Sequence, residues 1–173
     1  MASLLQNLVD ALDRECALYE RLLVLSGKKT PVIIQRDLKE LSKISGDEQA
    51  VVSLIAAVDK EREAAMDAIA DVIGEKGNNL KLIELIRMLD SRPNEQRNLA
   101  QMRDKLKSLA ENVQRVNDQN QILLQSSLEM VQYEMNIIQA ARRAPETANY
   151  TRKAGTRGDL IGVAPMGRFD AKQ

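Results

Sequence analysis

Apolar residues recur at helical spacing from Leu4 to Ile138, with a few short interruptions. The first run predicts a helix over residues 3–25. Leu5, Leu8, Leu12, Tyr19 and Leu22 share one face, with Leu4, Val9 and Leu23 beside them. Ser26-Gly27 is expected to end it, because Gly27 is free to take the left-handed conformation of a helix C-terminus. Val32-Ile33-Ile34 reads as an extended connector or a helical turn. A second helix is expected to open at Asp37, where Asp37-Leu38-Lys39-Glu40 has the form of a capping box. Leu38, Leu41, Ile44, Val51, Val52, Ile55, Val58, Ala65, Met66, Ile69 and Ile73 carry its stripe. Gly46 costs about 1 kcal/mol relative to alanine inside a helix, so a bend or a pair of shorter helices is expected there. Gly74-Glu75-Lys76-Gly77-Asn78-Asn79 is a breaker.

Leu80, Leu82, Ile83, Ile86 and Leu89 predict a short third helix, closed by Asp90-Ser91-Arg92-Pro93. Pro93 fits the first turn of the next helix, where no N–H partner is needed. The fourth helix, over about residues 94–144, contains neither Gly nor Pro. Leu99, Met102, Leu106, Leu109, Val113 and Val116 step by 3, 4, 3, 4, 3, which is a heptad seam. The seam then passes Asn120, Leu124 and Leu128 in steps of four and returns through Val131, Met135 and Ile138. That shift is a stutter, which locally unwinds a coiled coil. A helix of this length needs more cover than the short third helix supplies. The expected fold is all-α: an antiparallel helical bundle or coiled coil of three to four helices with one long C-terminal helix.

The pattern stops at Pro145. Two of the four prolines and four of the eight glycines fall in residues 145–173, and basic residues outnumber acids there. The expected organisation is a helical domain over 1–144 and a flexible basic tail over 145–173. Aromatics make up 2% of the chain, so the core is built from aliphatic residues and Met, as in helix bundles. Lys plus Arg and Asp plus Glu are both 25, which argues against attraction of the whole surface to nucleic acid or to anionic membrane. No run reaches the roughly 20 apolar residues of a membrane span, and the N-terminus lacks the pattern of a signal peptide. A cytosolic location is expected.

The chain has no histidine, which removes the usual proton shuttle and the commonest metal ligand. Cys16 lies among Leu12, Tyr19 and Leu23 and reads as a small buried hydrophobe. There is no Walker-type loop, and Gly155 and Gly158 follow no strand. Glu61 and Glu63 read as a solvated helix face. No catalytic, metal or cofactor site is expected.

What remains is surface for partners. From Asn117 to Ile138, and with Asn112, Gln114 and Gln139 at its edges, the second half of the fourth helix is rich in Asn and Gln and poor in charge. Leu124, Leu128, Val131, Met135 and Ile138 make one apolar edge; Leu123, Met130 and Ile137 belong to a second. One reading is bundle core, with Asn120 as a polar register residue. The other is an open surface for an amphipathic helix from another protein, to which methionine adapts well. In the tail, Tyr150 and Phe169 are two of only four aromatic residues in the chain, and an isolated aromatic is a candidate docking anchor.

Several stretches together resemble the FlgN family of flagellar export chaperones. They are Glu15, Tyr19 and Leu22-Leu23, then Asp37-Leu38, Leu41, Ile44, Glu48 and Glu61-Arg62. Asn117-x-x-Asn120-x-x-Leu123-Leu124-x-x-Ser127-Leu128 and the ending Phe169-Asp170-Ala171-Lys172-Gln173 complete them. The resemblance implies a cytosolic chaperone, without cofactor, for the hook–filament junction proteins FlgK and FlgL. It would cover their C-terminal amphipathic helices, prevent premature assembly and deliver them to the flagellar type III export apparatus. On that reading Leu124, Leu128, Val131, Met135 and Ile138 contact the client, and Tyr150 docks at the export gate. The competing expectation is a self-associating coiled-coil structural or adaptor protein, a homo-oligomer joined through the seam from Leu99 to Val116.

Overall fold

The structure is a computed structural model that describes residues 2–74 and 80–143. Its elements are four helices: α1 (Ala2–Gln35), α2 (Leu38–Ile73), α3 (Leu82–Met88) and α4 (Pro93–Arg143). Among the described residues there is no strand. The 145–173 tail, with Tyr150 and Phe169, and the division of the chain at 144 lie outside the described residues.

α1 runs straight past its expected end. Ser26-Gly27 does not stop it, and Pro31 sits inside the helix. Val32-Ile33-Ile34 is helical, not extended. Gly27 and Pro31 together oppose the helix by about 4 kcal/mol. Packing opposes that penalty. Ile33 is buried, which is worth about 1.5–3 kcal/mol. Ser26 is wholly buried, and its backbone carbonyl accepts a hydrogen bond from Asn120 Nδ2 on α4 at 2.8 Å. Pro31 has no N–H for the Gly27 carbonyl, but Gly27 lies on the exposed side, where a backbone carbonyl is open to solvent.

The chain reverses in two residues. Arg36 has φ 57, the left-handed conformation usually given to glycine. The Arg36 N–H bonds the Ile33 carbonyl at 3.1 Å and the Asp37 N–H bonds the Val32 carbonyl at 3.2 Å, a Schellman closure of α1. Asp37 then caps α2, its Oδ1 accepting from the Glu40 N–H at 3.0 Å, as its sequence predicts. α2 continues unbroken through Gly46. It ends at Gly74, whose φ of 89 and N–H bond to the Ala70 carbonyl at 3.0 Å form the C-cap. Two members of the expected α2 stripe lie outside the core: Leu38 and Val52 are exposed. α3 opens with Lys81 N–H donating to Glu84 Oε2 at 3.0 Å.

Contacts between helices define the topology. Arg14 pairs with Glu61 and Ser26 with Glu48, so α2 runs antiparallel to α1. Lys105 pairs with Glu20, Thr30 with Asn120 and Arg36 with Glu134, so α4 runs parallel to α1. α1 is the shared strut, packed against both α2 and α4, and α3 packs on α4. The main core joins Leu5, Leu8 and Leu12 to Met66, Ile69, Leu85, Ile86, Leu89 and Leu99. A second cluster of Leu22, Val51 and Val113 lies further along. Cys16 is fully buried, and burial raises its thiol pKa, which keeps it protonated.

Candidate partner-binding surface

α4 changes character at Asn120. Before it, the seam faces the bundle: Leu99 and Val113 are buried, while Met102, Leu106, Leu109 and Val116 are half-buried. Asn120 itself is buried and joins α1 to α4. Its Nδ2 donates to the Ser26 carbonyl, and its Oδ1 accepts from Thr30 Oγ1 at 2.7 Å. Ser26 Oγ donates to Glu48 Oε1 at 2.8 Å, and Lys29 Nζ pairs with Glu48 Oε2 at 2.7 Å. One polar network thus spans α1, α2 and α4. A polar group buried in this way holds register, because any slip leaves it unpaired.

Beyond Asn120 the same face opens. Leu124 is half-buried, and Leu128 is 63% exposed. Val131, Met135 and Ile138 follow at 43%, 50% and 47%. These five residues form a continuous stripe, rising about 21 Å along the helix at 1.5 Å per residue. It is the core seam continued past its cover. α1 ends at Gln35, and the last link between the two helices is at Arg36, whose guanidinium meets Glu134 at 3.3 Å and also Met130 Sδ.

The far side of the same segment is apolar too. Ile122, Met130, Tyr133 and Ile137 are all at least half exposed, at 66%, 54%, 66% and 50%. Met130 and Ile137 stand out in sequence, but Ile122 and Tyr133 are harder to find, because they keep no heptad phase with the main seam. At the α1–α2 hairpin, beside Met130 and Glu134, Ile34 and Leu38 are also exposed. Helical periodicity assigns Leu38 to a core stripe; only the position of the hairpin at the end of the bundle exposes it.

The buried charges lie elsewhere. Glu15 on α1 is buried beside Arg62 on α2, Oε2 to Nε 3.1 Å, and Arg62 also bonds Asp59. Burial raises the Glu15 carboxyl above its ordinary value, against the pull of Arg62 and with help from Asp59. This set joins two helices, and Arg62 also lines a surface cleft with Glu63, Asp67 and Lys81, all exposed. Glu61 and Glu63 are exposed, and Glu61 pairs with Arg14 at 2.5 Å. Among the described residues no group of three or more His, Cys, Asp or Glu is placed to hold a metal, and no helix is long and apolar enough to cross a membrane.

Comparison with known proteins gives two matches. The family model described as FlgN protein matches residues 1–158. A protein of Bacillus subtilis (strain 168), named as uncharacterized protein YvyG, is 25% identical over 165 residues, covering 95% of this chain and 96% of that protein. No solved structure matches.

Proposed function

The chain belongs to the FlgN family, and from that premise we propose that it is a cytosolic flagellar export chaperone for the hook–filament junction proteins FlgK and FlgL. The observation that carries the reading is the exposure of the α4 stripe from Leu128 to Ile138, on the face that is core at Leu99 and Val113. A soluble helix gains nothing from an uncovered heptad seam unless something else covers it. An amphipathic C-terminal helix of a client fits: it extends the bundle core by continuing the seam. Covered in this way, the client helix is unable to pair with its own kind before export.

The energetics suit a reversible complex. Full burial of a large aliphatic side chain is worth about 1.5–3 kcal/mol, and these side chains begin half-exposed. Association removes about 4–15 kcal/mol. Five anchors therefore leave a modest net affinity, which permits release at the export apparatus. No nucleotide or cofactor enters this mechanism, and the chain acts as a binding protein and not as an enzyme. The tail beyond 144, with Tyr150, is assigned to export-gate docking: deletion of 145–173 is expected to spare client binding and lower secretion, and normal secretion would remove that role.

The self-association reading has less free seam to use, because Leu99 and Val113 are buried within the chain's own clusters while Met102, Leu106, Leu109 and Val116 are half-buried. Calorimetric titration with C-terminal fragments of FlgK and FlgL tests the proposal. Saturable binding by the wild type, lost in Leu128→Asp and Met135→Asp while helicity is retained, is expected. Unchanged affinity in both variants would move the client site elsewhere.

A further inference from the structure

The chemistry on either side of the open stripe describes the helix that occupies it. With Leu128 and Met135 at heptad position a, and Leu124, Val131 and Ile138 at d, the flanking e positions are Gln125, Gln132 and Gln139, all exposed. The g positions are Ser127, Glu134 and Ala141, and Glu134 is already paired with Arg36 of the same chain. The next a position is Arg142, which ends the apolar seam. Flanking e and g charges are what normally select a coiled-coil partner and its orientation. Each half carries one paired g charge: Lys105 with Glu20 of α1 at 2.9 Å in the buried half and Glu134 with Arg36 at 3.3 Å in the open half. The e edge of the open half, Gln125, Gln132 and Gln139, carries no charge.

We propose that the α4 stripe accepts an amphipathic helix whose flanks are uncharged hydrogen-bonding side chains, amides and hydroxyls, and discriminates against helices with charged flanks. A glutamine both donates and accepts, so it pairs with another amide or a hydroxyl in either orientation. Facing a carboxylate or an ammonium group, the e edge offers no free countercharge, since Glu129, off the seam, already accepts from Gln125 Nε2 at 3.0 Å, and desolvating that group beside the apolar stripe is unfavourable. Charge steering, which speeds encounter and fixes register, is therefore absent from this e edge. The inference rests on the chaperone reading for the role of the stripe, but it concerns the chemistry of whatever helix binds there.

The test uses the full chain and synthetic helices that share one Leu and Met stripe. One helix carries Gln and Ser at its flanks, one carries Glu and one carries Lys. The wild type is expected to bind the Gln and Ser helix at least ~10-fold tighter than either charged helix, and raising the salt concentration should change that affinity less than about twofold. Gln125→Glu, Gln132→Glu and Gln139→Glu combined should move the preference to the Lys helix and make binding salt-dependent. Equal or tighter binding of a charged helix by the wild type, or no binding of any of the three, would overturn the inference. FlgK and FlgL fragments in the same titration separate the two claims. If the fragments bind and the synthetic helices show no preference, the flank chemistry falls and the chaperone reading stands. If only the Gln and Ser helix binds, the client assignment falls and the flank chemistry stands.

Discussion

Asn120 and Asn117 look alike in sequence, three residues apart in one amide-rich run, and their environments differ completely. Asn120 is buried and bonded to Ser26 and Thr30, whereas Asn117 is exposed. Asn120→Ala should destabilise the fold by about 2 kcal/mol in urea unfolding, because the Thr30 hydroxyl is left without its acceptor. Asn117→Ala should stay within about 0.5 kcal/mol. Equal effects would remove the register role of Asn120. Glu15 makes a second residue-scale prediction. Its folded carboxyl lies above the ordinary 4.5, mainly through burial. A raised acid binds more protons folded than unfolded, so its stabilising protonation is complete below about pH 4.5 and is lost as pH rises through the folded value. Glu15→Gln removes that loss. The stability of the variant relative to the wild type should therefore rise with pH above about 4.5; a flat difference would show that Arg62 fully offsets burial.

At the scale of the helix, three glycines show how far local propensity reaches. Gly46 lies in α2, a Cβ there meets nothing within 4 Å, and the helix is continuous through it. Gly46→Ala should stabilise the protein by about 0.5–1 kcal/mol, read as a higher urea midpoint. Gly74 also meets nothing, but its φ of 89 is the left-handed cap. Gly74→Ala should cost about 1–2 kcal/mol through backbone strain alone. A shared sign for the two substitutions would contradict the assigned helix boundaries. The third, Gly27, reads as a stop in sequence and is passed by α1, because Ser26 and Ile33 are buried on the opposite side. The capping of α2 at Asp37 and the Pro93 start of α4 need no tertiary help, and both are legible directly.

For the whole molecule, the consequence is a bundle with one finished end and one unfinished end. The finished end holds the large core around Leu8, Leu12, Ile69 and Leu99; at the other, α4 continues past Glu134 by about 14 Å. Leu128→Asp should leave unfolding free energy within about 0.5 kcal/mol of wild type, whereas Leu12→Asp, fully buried, should prevent folding. Amide exchange should make the same division. Residues 124–138 should gain protection when a client fragment is added, and residues 99–116 should change little. Protection gained only in the second segment would place the client against the bundle core and not on the open stripe.

The helical class, the start of α2 at Asp37, the two later breaks and the apolar stripe of α4 follow from short-range periodicity, capping and backbone chemistry, which act over a few residues and are written in order along the chain. So does the exclusion of histidine chemistry, which is a matter of composition. Which part of the stripe is core and which part is open depends on where α1 ends, and α1 extends ten residues further than its Gly27 and Pro31 suggest (Leu25 to Gln35). That extension is held by Ser26, Asn120 and Glu48, residues up to 94 positions apart. Local propensity carries no information about such partners. Leu38 and Leu8 are the same residue type with the same helical spacing, yet one is 76% exposed and the other is buried. Burial is a property of what stands opposite a side chain, and only the packing of α1 between α2 and α4 settles that.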